Sequence, residues 1–353
     1  MTNVIKHRLF WPVAMLVVLL LSNLIFTPNF FSITVRDGHL YGSLIDILRF
    51  GAPLVLVAVG LTLVIATGGI DLSVGSVMAI SGALACWWIS EASQQNALAT
   101  VLSAVGLALG LALICGLWNG FLVGVVGIQP IIATLILMVA GRGIAQLITE
   151  GQIINVNSST KFKVIGAGYA LTIPVPVIIA AAVTVLAVVL TRRTALGLLV
   201  ESVGGNAEAS RLAGIRSRRI ILMVYIFAGL CAGIAGLIVS SNITSADANY
   251  AGLWYELDAI LAVVIGGTLL TGGRFSIAGT VIGALLIQTL TTSIYTIGIP
   301  PETTLLFKAV VVTIVCLVQS PAFRDKVFHA RRPRPPAPAS PSSEPQQKIE
   351  VPA

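Results

Sequence analysis

Apolar runs of roughly 18–22 residues recur along this chain from Leu9 almost to Gln319, each long enough to cross a hydrocarbon layer of about 30 Å as a helix. Nothing else constrains the fold as strongly. A lipid interior offers no water to backbone amides, so only helices and closed barrels can span it. Transmembrane strands would leave alternating runs of about 9–11 residues, and these are not seen. Only 10% of the 353 residues are charged, against about 25% in a soluble domain. The reading is an all-α, polytopic membrane protein with about ten transmembrane helices. The expected spans are 9–27, 44–67, 73–90, 97–126, 130–149, 174–191, 219–241, 254–271, 276–297 and 302–320. Pro28, Pro130, Pro174 and Pro300 fall at span boundaries, where a missing N–H does least harm. Lys6, His7 and Arg8 precede the first apolar run as in a signal peptide, but no A-x-A-like cleavage site follows, so that run reads as an uncleaved span.

The basic residues orient the chain. With the N-terminus in the cytoplasm, the inner side holds fifteen of the 21. These are Lys6, Arg8, six arginines in the 192–218 loop, Arg274, and Arg324, Lys326, Arg331, Arg332, Arg334 and Lys348 of the tail. The outer side holds Arg36, Lys161 and Lys163, while Arg49, Arg142 and Lys308 lie within spans. That bias places both termini in the cytoplasm. It also explains the net charge of +7 without a nucleic-acid partner. The domain reading is a cytoplasmic N-terminus (1–8), a transmembrane domain (9–320) and a tail (321–353). Within the domain, 192–218 is a cytoplasmic coupling loop and 150–173 an external loop. Seven prolines among serines and charges keep the tail from burying a core, so it is expected to be disordered and solvated, a PxxP-type ligand role being the alternative. Cys86, Cys115, Cys231 and Cys316 are dispersed in apolar stretches and read as small buried hydrophobes.

The 192–218 loop is the longest polar interruption. Its arginines, Arg192, Arg193, Arg211, Arg216, Arg218 and Arg219 (the last just beyond), surround a short helical segment. Leu196, Leu199, Val200 and Val203 form one helical face, which Gly204-Gly205 ends. Asn206 is a natural N-cap, Glu208 complements the dipole of the first turn, and Gly214 closes the segment as a C′ glycine. Ala207, Ala209 and Ala213 give it a small-residue face that can enter a groove on a partner. The alternative is a solvated connector that only sets orientation.

Four further features carry polar groups into apolar surroundings. Gly68-Gly69-Ile70-Asp71-Leu72-Ser73 joins two spans with almost no loop. It is either a broken helix beside a permeation path, or a tight turn in which Asp71 caps the next helix. Trp118-Asn119-Gly120 could contact a sugar, although packing through Gly116 and Gly120 is the favoured reading. Gln146 follows Arg142 by one helical turn, and Arg142 needs a partner, expected as an ion pair with Glu256 or Asp258. Asp46 and Arg49, three residues apart, are expected to pair ordinarily. No GxxxxGK precedes Ser or Thr and no GxGxxG occurs, so no nucleotide site is expected in this chain. The three histidines lie outside the spans, and neither a catalytic triad nor a metal cluster has plausible spacing.

At this point the residues carry a resemblance. GGIDLSVGSVMA from Gly68, IQPIIATLILMVAGRGIAQLITEGQ from Ile128, ESVGGNAEASRLAGI from Glu201 and ELDAILAVVIGGTLLTGGRF from Glu256 resemble the inner-membrane permeases of bacterial carbohydrate ABC importers. That family includes ribose, arabinose and galactose permeases, and the match covers roughly residues 10 to 320. Within it, the wording from Gly42 to Gly69 and from Asp247 to Gly267 is most similar to galactofuranose importer permeases. The resemblance implies a multi-pass inner-membrane subunit that pairs with itself or a paralogue. It also implies a cytoplasmic ABC ATPase that binds ATP and Mg, a periplasmic sugar-binding protein, and no cofactor or catalysis in this chain. The family's coupling segment falls on Gly204, Asn206, Ala207, Ala209, Arg211 and Gly214. Asp71, Ser73, Asn119 and Gln146 are the candidates for the path or gate. Arg274 departs from the small residues that many sugar permeases carry after the paired glycines. The rivals are a branched-chain amino acid ABC permease and an ion-coupled secondary transporter. The latter needs an ionisable relay near mid-bilayer, for which the spans offer few acids.

Overall fold

The computed structural model describes residues 9–27, 29–36, 38–298, 300 and 303–319. The expected N-terminal segment 1–8 and the Pro-rich tail 321–353 lie outside them. In chain order come α1 (Phe10–Phe26), the hairpin β1 (Thr34–Arg36) and β2 (His39–Tyr41), α2 (Ser43–Ala66), α3 (Val74–Glu91) and α4 (Leu98–Phe121). Then follow α5 (Pro130–Ile148), β3 (Ile154–Asn155), α6 (Thr160–Ala167), β4 (Tyr169–Ala170), β5 (Ile173–Pro174) and α7 (Val175–Arg193). The chain continues with α8 (Leu196–Gly205), α9 (Ala207–Leu212), α10 (Ser217–Ile243), β6 (Ser245–Ala246), α11 (Tyr255–Ile265), α12 (Ile277–Ile297) and α13 (Thr304–Gln319).

Among the described residues seven helices are long and apolar enough to cross a bilayer: α2, α3, α4 with its π-helical extension to Val126, α5, α7, α10 and α12. Their bounds follow the expected spans to within a few residues. Two others are slightly shorter, α1 with 17 residues and α13 with 16. The expected span 254–271 is different. Its helix stops after 11 residues at Ile265, roughly 16 Å of rise, well short of a full crossing. Gly267, Gly272 and Gly273 all take positive φ, and the backbone from Gly266 to Ser276 stays non-helical. The apolar composition of 254–271 hides this break because glycine counts as neutral in a hydropathy average.

The core gathers around α2, in which every residue from Gly51 to Ala66 is buried. The most apolar windows of α4, α5 and α7 are only 22–28% buried, which leaves broad apolar faces for lipid or for another chain. Glycines bring the helices close. A Cβ on Gly229 of α10 would lie 2.9 Å from the Gly116 Cα of α4, and one on Gly120 would lie 3.0 Å from the Leu222 Cα. Small-residue crossings of this kind replace the hydrophobic driving force that lipid cannot supply. Cys86, Cys115 and Cys231 are free thiols buried in this packing. Asn23 of α1 donates to Ser293 of α12 at 2.7 Å and fastens the first helix to the bundle.

The expected external loop is ordered over one end of the bundle. β3 pairs antiparallel with β6. Ser241 of α10 donates to the Phe162 carbonyl at 2.5 Å and accepts from the Gly166 N–H at 2.7 Å, fixing α6 on α10. The α8–α9 segment sits at the opposite end of α10.

Candidate functional site

α8 lays Val200 and Val203, with Leu196 and Leu199 beside them, against Leu63, Val64, Ile220 and Val224. These are the four residues whose spacing predicted an amphipathic face. Asn206 then breaks the helix in an extended conformation, and its Oδ1 accepts the Ala209 N–H at 2.9 Å. Gly214 turns the chain at φ 87°, and the Ile215 N–H returns to the Ser210 carbonyl at 2.9 Å. Arg211 donates to both Glu208 oxygens, at 3.0 and 2.6 Å. These bonds and the Arg211 charge hold the Glu208 carboxyl below the usual carboxylate range. Apart from Ser210, every residue of α9 is exposed, and Leu212 is 76% exposed. The result is a capped helix, its one acid paired with its one base, whose outer surface stands exposed among the described residues.

That helix connects directly to two breaks in the bundle. A Cβ on Gly204 would overlap the Ala66 carbonyl at the end of α2, which itself accepts the Gly273 N–H at 2.8 Å. A Cβ on Gly272 would lie 2.8 Å from the Gly204 carbonyl and 2.9 Å from the Gly68 N. Three paired-glycine segments therefore meet backbone to backbone: the end of α2, the end of α8, and the loop after α11. Each pair is visible in the sequence. Their convergence is not, because nothing local links positions 68, 204 and 272.

The break between α2 and α3 is held by buried polar contacts. Asp71 Oδ1 accepts the Ser73 N–H at 2.9 Å and the Ser73 hydroxyl at 2.6 Å. Asn119 Nδ2 of α4 donates to Ser73 Oγ at 2.8 Å. Thr134 of α5 accepts the Leu72 N–H at 3.2 Å. Asp71, Ser73 and Asn119 are each no more than 2% exposed. The Asp71 carboxylate thus stands at the start of α3, within the break, closed off from solvent. The cap residue of α3 is Ser73, not the expected Asp71, which instead fixes the break by accepting from Ser73.

Gln146 lies elsewhere. It is exposed and donates to Asn249 at 2.7 Å, at the end of the bundle that carries 150–173. The expected contact ion pair of Arg142 with Glu256 or Asp258 does not form. Arg142 Nη1 instead donates to the Ala248 and Ala251 carbonyls at 2.9 and 2.6 Å. Glu256, buried near Gly75, interacts with Arg142 only through charge, and Asp258 pairs with Lys308 of α13 at 2.8 Å. Residues two apart on a helix point in different directions, so Glu256 and Asp258 could not both face α5. Arg49 likewise does not pair with Asp46. Its Nη2 donates to Asn242 of α10 at 2.8 Å. Among the described residues no group of three His, Cys, Asp or Glu is placed to hold a metal.

Residues 43–316 match the family described as branched-chain amino acid transport system / permease component. The chain is 51% identical, over 91% of its length and 94% of the relative's, to the galactofuranose transporter permease protein YtfT of Escherichia coli. It is 40% identical to the fructose import permease protein FruF of Bifidobacterium longum, over 94% and 93% of the two chains. It is 39% identical to the ribose import permease protein RbsC of Escherichia coli, over 83% and 88%. No solved structure matches the chain.

Proposed function

The chain belongs to the branched-chain amino acid transport system / permease component family, and from that premise we propose that it is the membrane-spanning permease of an inner-membrane ABC importer for a monosaccharide. The observation that carries this reading is the identity of 39–51% with permeases for three sugars, each alignment covering at least 83% of this chain. The family's description mentions amino acids, but these relatives, aligned almost end to end, are sugar permeases. Galactofuranose is the proposed cargo, following the relative with 51% identity.

The remaining parts of the proposal are physical. ATP hydrolysis belongs to a partner ATPase that docks on the exposed α9, and a periplasmic binding protein delivers sugar to the end carrying 150–173. Closure of the ATPase pushes α9, whose capping and Glu208–Arg211 bonds keep it from absorbing the movement. Displacement of α8 is passed at Gly204 to the end of α2 and to the non-helical loop 266–276. Both are non-helical, glycine-containing breaks, where sharp bends in helical chains concentrate. Asp71, Ser73 and Asn119 hold the neighbouring break in a defined shape and act as a positioning network. The test is uptake of labelled sugars by proteoliposomes containing permease, ATPase and binding protein. ATP-dependent accumulation of galactofuranose is expected, and accumulation of leucine in its place would overturn the reading.

A further inference from the structure

One cavity stands apart from the α8–α9 segment and the Asp71 break. It has a volume of about 500 Å³ and lies where the start of α2 and the ends of α10 and α12 come together beneath α6. Pockets for small molecules run about 300–1,000 Å³. Its walls include Asp46, Arg49 and Phe50 from α2, Asn242 from α10, Tyr255 from α11 and Gln288 from α12.

Polar side chains from four helices converge there in an otherwise apolar bundle, a costly arrangement that usually marks function. Asp46 and Arg49 are one turn apart, yet they do not form an ion pair among the described residues. Asn242 draws the guanidinium aside through Nη2, and Arg49 Nε is left without a partner. Gln288 reaches Thr292 only at 3.3 Å, leaving its amide weakly committed. The wall thus combines a carboxylate acceptor, a guanidinium donor, amides and threonine hydroxyls with the rings of Phe50, Tyr255 and Tyr295. Opposite charges cancel, so neither a cation nor an anion is favoured. A neutral ring with hydroxyls at its edge and C–H groups on its faces satisfies both kinds of group.

We propose that this cavity is a cargo subsite of the permease, which holds one monosaccharide between α2, α10 and α12 on its way from the binding protein. The proposal rests on the sugar-importer reading, and its test separates the two. In proteoliposomes containing the permease with its ATPase, Thr292→Cys is labelled from outside by a water-soluble thiol reagent. Ser158→Cys, on the exposed loop, serves as the reference; both variants also carry Cys316→Ser, and Cys86, Cys115 and Cys231 are buried. Galactose, ribose or fructose near saturation should slow labelling at Thr292→Cys about tenfold, as occupancy near ten times Kd requires. Labelling at Ser158→Cys should not change. In the complete importer, Gln288→Ala should lower uptake about tenfold while sugar binding by the binding protein stays the same. Unchanged labelling with every sugar, alongside normal wild-type uptake, overturns the subsite but leaves the importer reading intact. Protection by leucine and not by sugar overturns a sugar as the occupant. Should Thr292→Cys not label at all, Gln288→Ala decides alone: normal uptake then rejects the subsite. Failure of the wild-type importer to take up any sugar overturns the underlying reading instead.

Discussion

Asn119 donates a 2.8 Å hydrogen bond to the hydroxyl of Ser73, which in turn donates to Asp71, so a residue near the end of one span fixes the start of another 46 positions earlier. Removing the amide leaves a buried hydroxyl without its donor. Asn119→Ala should therefore lower stability by about 1–2 kcal/mol, the upper range for interhelical hydrogen bonds in membranes. The lowered thermal midpoint of the purified protein checks this. An unchanged midpoint together with unchanged uptake would remove the positioning role from Asn119.

Gly204 and Gly205 offer a sharper contrast between adjacent residues. A Cβ on Gly204 would overlap the Ala66 carbonyl, whereas one on Gly205 would meet nothing within 4 Å. Gly204→Ala should cost more than about 2 kcal/mol or uncouple ATP hydrolysis from uptake, since overpacking at a rigid contact costs about 1–3 kcal/mol and backbone cannot move aside as a side chain does. Gly205→Ala should stay within about 0.5 kcal/mol of the parent. Parallel measurements of thermal midpoint and of ATP hydrolysed per sugar imported distinguish them.

The two glycines also show how far sequence reasoning reaches. The capped helix at 206–214 was legible because Asn206, Glu208 and Gly214 act through contacts three to five residues apart. The long spans were legible because their length is imposed by the bilayer. The partners of Arg142 and Arg49 are not legible, for the opposite reason. Each chose a partner more than one hundred residues away, Ala248 and Asn242 respectively, over a nearer or more obvious carboxylate. The sequence hint for the cavity is Asp46 and Arg49, whose spacing reads as an ordinary pair; Gln288, Thr291 and Thr292 lie in an apolar helix, a pattern that packing hydroxyls also produce. The half-helix at Tyr255–Ile265 was concealed by the apolar residues on both sides of Gly266-Gly267.

Lys308 and Asp258 form a 2.8 Å pair with side chains 16% and 20% exposed, and they join α13 to α11. Lys308→Met strands the carboxylate and should cost about 3 kcal/mol, the low end for a broken buried pair. Adding Asp258→Asn should restore most of that loss. A double-mutant cycle on thermal stability reads the coupling directly, and strictly additive losses would contradict the pair.

Glu208 titrates at the surface. Its carboxyl is held below the usual range by Arg211, so the contact contributes at neutral pH and is lost as pH falls through that depressed value. Amide exchange across Ala207–Leu212 should accelerate, relative to the intrinsic rate, as the medium is acidified into the carboxylate range. Glu208→Gln should abolish this pH dependence. Equal protection at both pH values in the parent would contradict the contact.

The account rests on a permease that moves sugar only when driven through α9. Its most direct test is uptake in sealed proteoliposomes, with permease alone compared against permease plus ATPase and binding protein. Sugar should accumulate against its gradient only in the complete assembly with ATP, and Arg211→Glu, which sets like charges one turn apart on α9, should reduce that accumulation. Concentration of sugar by the permease alone under a proton or sodium gradient would contradict the account.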